Sequence, residues 1–130
     1  MSRVAIFCQR GEYEALHTAC SVAAAAASSG KQVELYVSWW ALDRVVRGDL
    51  DAPRFPDDET DARFEARQFP TIRDLLRHAR EAGDLRVYAC SASADLLGLT
   101  PQLHTETFSE VLGWHAVLAR TATVTERFFF

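Results

Sequence analysis

The segment Leu85-Arg-Val-Tyr-Ala-Cys-Ser-Ala-Ser-Ala-Asp-Leu-Leu-Gly-Leu99 carries one thiol, Cys90, from the end of a short apolar strand to the start of a helix. The first turn of a helix leaves backbone N–H groups unpaired and partly positive. Such groups stabilise a thiolate over a thiol and can lower a cysteine's pKa from its free value of about 8.5. Ser91 and Ser93 add cap-type hydroxyls at the same turn. The chemistry on offer is that of a thiolate nucleophile. The plain alternative is a small buried side chain that only packs.

Two other cysteines, Cys8 and Cys20, complete the set, with no C-x-x-C and no zinc-type spacing. They read as free thiols of a reducing compartment. Cys8 closes the first apolar run and is the second thiol that could share a site with Cys90, as a resolving partner or as core packing. Cys20 reads as helix packing. In a parallel sheet, ligands bind beyond the carboxyl ends of the strands, where Cys8, Ser38 and Cys90 all emerge. Gln9 and Arg10 follow the first strand into the same region, and an arginine there favours a thiolate or an anionic ligand, unless it is simply solvated. Trp39 and Trp40 follow Ser38 and wall the site, line an interface between copies, or pack.

Other chemistries lack their residues. His17, His78, His104 and His115 form no pair at metal-ligand spacing. No G-x-G-x-x-G, no G-x-x-x-x-G-K-[ST] and no Ser-His-Asp order occurs. Neither a metal nor a cofactor is expected. The acids between Asp49 and Asp61, interrupted by Pro53 and Pro56, read as a solvated loop without the glycine punctuation of a calcium loop.

The elements that hold these residues alternate. Arg3–Cys8 is a continuous apolar run, the pattern of a strand covered on both faces. Glu12–Ser29 is an alanine-rich helix whose small side chains suit close packing on a sheet or a neighbouring subunit, and Gly30 ends it. Gln32–Val37 is a second strand, and Ser38–Leu42 opens a short helix or loop. Thr71-Ile-Arg-Asp74 starts a helix with a capping box that Gly83 stops. Leu85–Ala89 is the third strand and Ser91–Leu97 a helix. Thr100-Pro101 starts a further turn, Ser109–Leu112 is a fourth strand, Trp114–Arg120 a helix and Val124–Phe129 the last strand. Strand and helix in alternation predict a parallel sheet with helices on both faces.

At 130 residues the chain fits one domain, residues 1–130, with no internal repeat. A net charge of −4 argues against binding nucleic acid or an anionic membrane surface. The first apolar run is too short for a signal peptide or a membrane span, so the expected location is cytoplasmic. Trp39, Trp40, Trp114 and Phe128–Phe130 supply more large apolar surface than a small sandwich hides, which predicts a homo-oligomer.

On Val87-Tyr-Ala-Cys-Ser-Ala-Ser-Ala-Asp-Leu-Leu-Gly-Leu99 above all, the chain resembles the DsrE/DsrF-like family of small sulfur-relay proteins. Supporting pieces are Ala24-Ala-Ala-Ala-Ser-Ser-Gly-Lys-Gln-Val33, Val37-Ser-Trp-Trp40 and Leu75-Leu-Arg-His-Ala-Arg-Glu-Ala-Gly83. The resemblance implies a three-layer α/β/α sandwich around a mostly parallel five-stranded sheet, flavodoxin-like in its layering. It also implies a trimer, hexamer or other homo-oligomer, a protein sulfur donor or acceptor, and a Cys90 that accepts sulfane sulfur as a persulfide. Gln9, Arg10, Ser38, Trp39, Ser91, Ser93 and Cys8 would surround it. Two rivals stand beside a sulfur carrier or sulfurtransferase-like protein: a non-catalytic oligomeric module that binds a small ligand or partner, and a redox protein in which Cys90 reacts with peroxide and Cys8 resolves it.

Overall fold

Residues 2–130 are described by a computed structural model in which five parallel strands form one sheet in the order β4-β3-β2-β1-β5. The strands are β1 (Arg3–Cys8), β2 (Gln32–Val37), β3 (Leu85–Cys90), β4 (Glu110–Leu112) and β5 (Glu126–Phe129). The chain steps from β1 to β4 in one direction and then returns across the sheet to add β5 beside β1. Crossovers between parallel strands are right-handed, so this reversal sends the last connection to the opposite face. The fold is the expected α/β sandwich, with very unequal outer layers.

The face reached first is thickly covered. Val4, Ile6, Cys8, Val33, Leu35, Val37, Val87 and Ala89 alternate along the strands and join Leu16, Ala19, Cys20 and Ala23 of α1 (Tyr13–Ser28) in the larger core. Ala41 and Leu42 of α2 (Trp39–Arg47), Phe64 of α3 (Asp58–Ala66), Ile72, Leu76 and Ala79 of α4 (Ile72–Ala82) and Ala94 of α5 (Ser91–Leu96) close it. The small residues of α1 admit α4 alongside, and at Gly83 a side chain would meet the Ala27 carbonyl oxygen at 3.1 Å. Gly30 follows α1 at φ 81°, a left-handed turn that glycine takes without strain.

The opposite face carries the intervening residues Ala5, Phe7, Tyr36 and Tyr88, with Leu112 and Val124, under Val117 of the eight-residue α6 (Trp114–Thr121). One short helix cannot cover five strands. Aromatic rings do part of the covering: Phe129, Phe7, Tyr36 and Tyr88 stand in register across four strands and stack in a row, with centroids 4.9, 5.0 and 5.0 Å apart. Such pairs add roughly 0.5–1.5 kcal/mol each beyond the area they bury. Below them Arg3 donates to Glu34 at 2.9 and 2.6 Å, and the Tyr36 hydroxyl donates to the same carboxylate at 2.6 Å. The nearly buried carboxylate is thereby paired.

The acidic stretch differs from the solvated loop expected of it. Asp57 caps α3 by accepting from the Thr60 N–H at 2.7 Å, and Arg54 pairs with Asp61 at 2.7 Å and with Glu65. Asp51 accepts from the Tyr13 hydroxyl at 2.6 Å and from the Ile72 and Arg73 N–H groups at 2.8 and 3.2 Å, tying the segment to α1 and to the open first turn of α4. Acids suit helix N-termini because the unpaired N–H groups there attract negative charge, and two separate helix starts use these. The Thr71–Asp74 capping box forms as expected, at 3.1 and 3.0 Å. Among the described residues, no helix is long and apolar enough to cross a membrane.

Candidate functional site

Three strands end on the same pattern. Phe7-Cys8-Gln9, Tyr36-Val37-Ser38 and Tyr88-Ala89-Cys90 each place an aromatic residue two positions before a small or polar one. Strand residues two apart point to one face, so the row of rings is followed, one step further along the strands, by Gln9, Ser38 and Cys90. Together they line a pocket of about 100 Å³ on the thinly covered face. Leu112, Trp114, Val117, Phe129 and Phe130 complete its walls. Cys90 stands opposite Leu112 in the β3–β4 register. These adjacent strands send their connections to opposite faces of the sheet, the switch point at which parallel α/β proteins leave a crevice.

Backbone hydrogen bonds fix the rim. Ser38 N–H donates to Cys8 O at 3.0 Å, Ala41 N–H to Gln9 O at 3.3 Å and Gln9 N–H to Phe130 O at 2.9 Å, so the loops after β1 and β2 hold each other. Trp39 takes a left-handed φ of 47° as α2 begins, a conformation that costs a side-chain-bearing residue about 1–2 kcal/mol. Gly11 makes room for the next residue, since a Cβ there would lie 2.9 Å from Trp40 Cβ.

Of the sequence candidates, Cys90, Gln9 and Ser38 come together and the others do not. Cys90 is partly exposed and is itself the N-cap residue of α5, with no side-chain cap hydrogen bond. Ser91 and Ser93 therefore fall inside the helix and are not its caps. Ser91 is exposed, Ser93 is buried, and neither lines the pocket. Arg10 turns away and pairs with Glu12 at 3.4 Å, sharing a separate shallow depression with Gly11, Trp39 and Trp40.

Cys8 is placed on the other side of the sheet. One position off the Phe7–Gln9 alternation, it faces the thick core, where it is sealed and its Sγ lies 3.8 Å from the Arg10 carbonyl oxygen. Loss of hydration pushes its thiol up to about 12. Burial likewise pushes up Cys20, on α1 in the same core. A β-sheet separates both from Cys90, so of the two readings of Cys8, resolving partner or core packing, the structure shows core packing.

The pocket is apolar in character and, among the described residues, no charged side chain lines it. Its tyrosine hydroxyls are engaged elsewhere. Burial and the hydrogen bond to Glu34 push the Tyr36 phenol well above its ordinary value, and Arg120 donates to the Tyr88 hydroxyl at 3.3 Å with its guanidinium 4.9 Å from that ring's centroid. Among the described residues, no three His, Cys, Asp or Glu side chains gather as metal ligands. No protein-family model matches the chain, and no curated protein matches it.

Proposed function

We propose that this protein carries sulfane sulfur on Cys90, as a sulfurtransferase-like relay. The observation that carries the reading is the segregation of the thiols: Cys90 is partly exposed and lines the apolar pocket at the strand ends, while Cys8 and Cys20 are buried on the other side of the sheet, where Cys20 borders a separate chamber of about 190 Å³ beside α2 and α4. A carrier needs one accessible sulfur nucleophile and no second thiol close enough to discharge it as a disulfide. The resemblance of Val87–Leu99 to sulfur-relay proteins of the DsrE/DsrF-like family points the same way.

Loading begins with the Cys90 thiolate attacking the sulfane sulfur of a donor. A new S–S bond forms, the donor's own S–S bond breaks, and its electron pair leaves with the remainder of the donor. In discharge, an acceptor thiolate attacks the outer sulfur of Cys90–S–SH and Cys90 departs as thiolate. Neither step requires an external oxidant or reductant. Ser38 and Gln9 supply a hydroxyl and an amide at the rim to hydrogen-bond the outer sulfur. A homo-oligomer, trimer or hexamer, formed through the apolar surface around α6 belongs to the same proposal.

Inorganic polysulfide followed by intact-mass measurement tests the reading. Gain of one or more sulfur atoms, removed by cyanide and absent from Cys90→Ser, is expected; no gain on the folded wild-type chain would refute it. The peroxide-reducing alternative with Cys8 as resolving thiol lacks support, since Cys8 lies across the sheet. The ligand-binding module draws on the aromatic lining, and under that reading Cys90→Ser would bind its ligand as well as wild type does.

A further inference from the structure

Resting on the carrier reading, we infer that the pocket selects a sulfur donor of one chemical class: a small organic hydropersulfide bearing a single uncharged ring, taken in its neutral form. The lining is the reason. Phe7, Tyr36, Tyr88, Trp114 and Phe129 bring aromatic surface to the chamber, and the polar side chains of Gln9, Ser38 and Cys90 stand together at the strand ends, with the Trp114 indole N–H on the α6 side. A ligand that matches this distribution is apolar over most of its surface and polar at one end.

Charge slows loading from the common anionic donors without barring it. Arg10 is paired with Glu12 outside the pocket. Arg120 is engaged with Tyr88 and, at 3.3 Å, with both oxygens of Glu110. A dianion such as thiosulfate would shed water here and gain no cation in return, which is a net penalty. Volume sets an upper limit: the chamber of about 100 Å³ is smaller than the apolar cavity of about 150 Å³ that encloses benzene, so a single ring more than fills it and extends through the open rim.

The neutral form R–S–SH, whose outer sulfur carries no negative charge, is the electrophile that transfer requires. Cys90 thiolate attacks the outer sulfur, the bond between Cys90 Sγ and that sulfur forms, and the donor's S–S bond breaks with its pair passing to the inner sulfur. The products are Cys90–S–SH and the ring-bearing thiolate R–S⁻, so atoms and electrons balance without a co-reactant.

The test compares benzyl hydropersulfide, glutathione hydropersulfide and thiosulfate on the full chain. Sulfur uptake at Cys90 is followed by intact mass, and each rate is divided by that of N-acetylcysteine with the same donor. The benzyl donor is expected to exceed both charged donors by about tenfold or more after that correction, the scale on which apolar pockets discriminate. Benzyl alcohol, an inert ring, is expected to slow loading by the benzyl donor at concentrations that leave the N-acetylcysteine reaction with that donor unchanged. Trp114→Ala, at a side chain 56% exposed, is expected to shrink the benzyl advantage in a folded protein. Equal or reversed normalised rates, with sulfur still arriving on Cys90, would overturn the donor assignment and leave the carrier intact. Loading by none of the three would remove both.

Discussion

Iodoacetamide should modify Cys90 in the native protein at near neutral pH while leaving Cys8 and Cys20 untouched until the chain unfolds, because only Cys90 has solvent access. Peptide mapping after a short exposure checks this, and equal labelling of Cys20 would contradict it. The pH dependence of stability follows from the sealed thiols. Burial raises the folded-state value of Cys8 from 9.0 to about 12, so its contribution is fully present below about 9 and is lost as pH rises toward 12. Stability against urea should therefore fall above about pH 9 by up to ~1.4 kcal/mol per pH unit for each such thiol, and Cys8→Val should remove one share of that slope. Cys90 as the accessible thiol was legible in the sequence because it ends a strand and precedes a short helix. The separation of Cys8 was legible too, in the alternation Phe7-Cys8-Gln9: a residue one place from Gln9 must face the other way. Treating the apolar run Val4–Cys8 as covered on both faces concealed that parity.

The first three strands were readable to the residue at nearly every end, because each is a compact apolar run bounded by polar or glycine punctuation. Helix α3 was not, since its nine residues contain Phe64 as their one buried residue and the local sequence is mostly charged. What holds it is tertiary: Tyr13, Phe55 and Phe64 pack ring against ring, and Arg54 reaches Asp61 and Glu65. Thr71→Ala should cost about 1 kcal/mol in chemical denaturation by opening the capping box of α4. Gly11→Ala should destabilise by a comparable amount or more through a clash and not a lost cap, since its Cβ would meet Trp40 Cβ at 2.9 Å and the Trp40 carbonyl at 3.1 Å. Unchanged denaturation midpoints in either variant would contradict these local accounts.

Across the whole molecule the two faces of the sheet divide the labour. Five helices seal one face into a core, and the other is left to α6 and a row of rings, which gives the pocket its apolar character and leaves Trp114, Leu118 and Phe129 more than half exposed. The expectation of helices on both faces was correct, but sequence alternation could not tell how unequally they are shared; the return from β4 to β5 decides that. Trp114 and Leu118 stand one turn apart on α6, where an apolar pair makes an adhesive stripe. Light scattering at micromolar concentration should report a homo-oligomer, and Leu118→Lys should lower the mass with little change in thermal midpoint, because the side chain is 66% exposed in the single chain. A monomeric wild type would contradict this part of the proposal. The measurement that bears most directly on the central claim is intact mass after exposure to inorganic polysulfide, with cyanide treatment as the control. The carrier account predicts added sulfur that cyanide removes, located on Cys90 by peptide mapping and missing from a folded Cys90→Ser variant; an unmodified wild-type mass, or sulfur that persists when Cys90 is replaced, would contradict it.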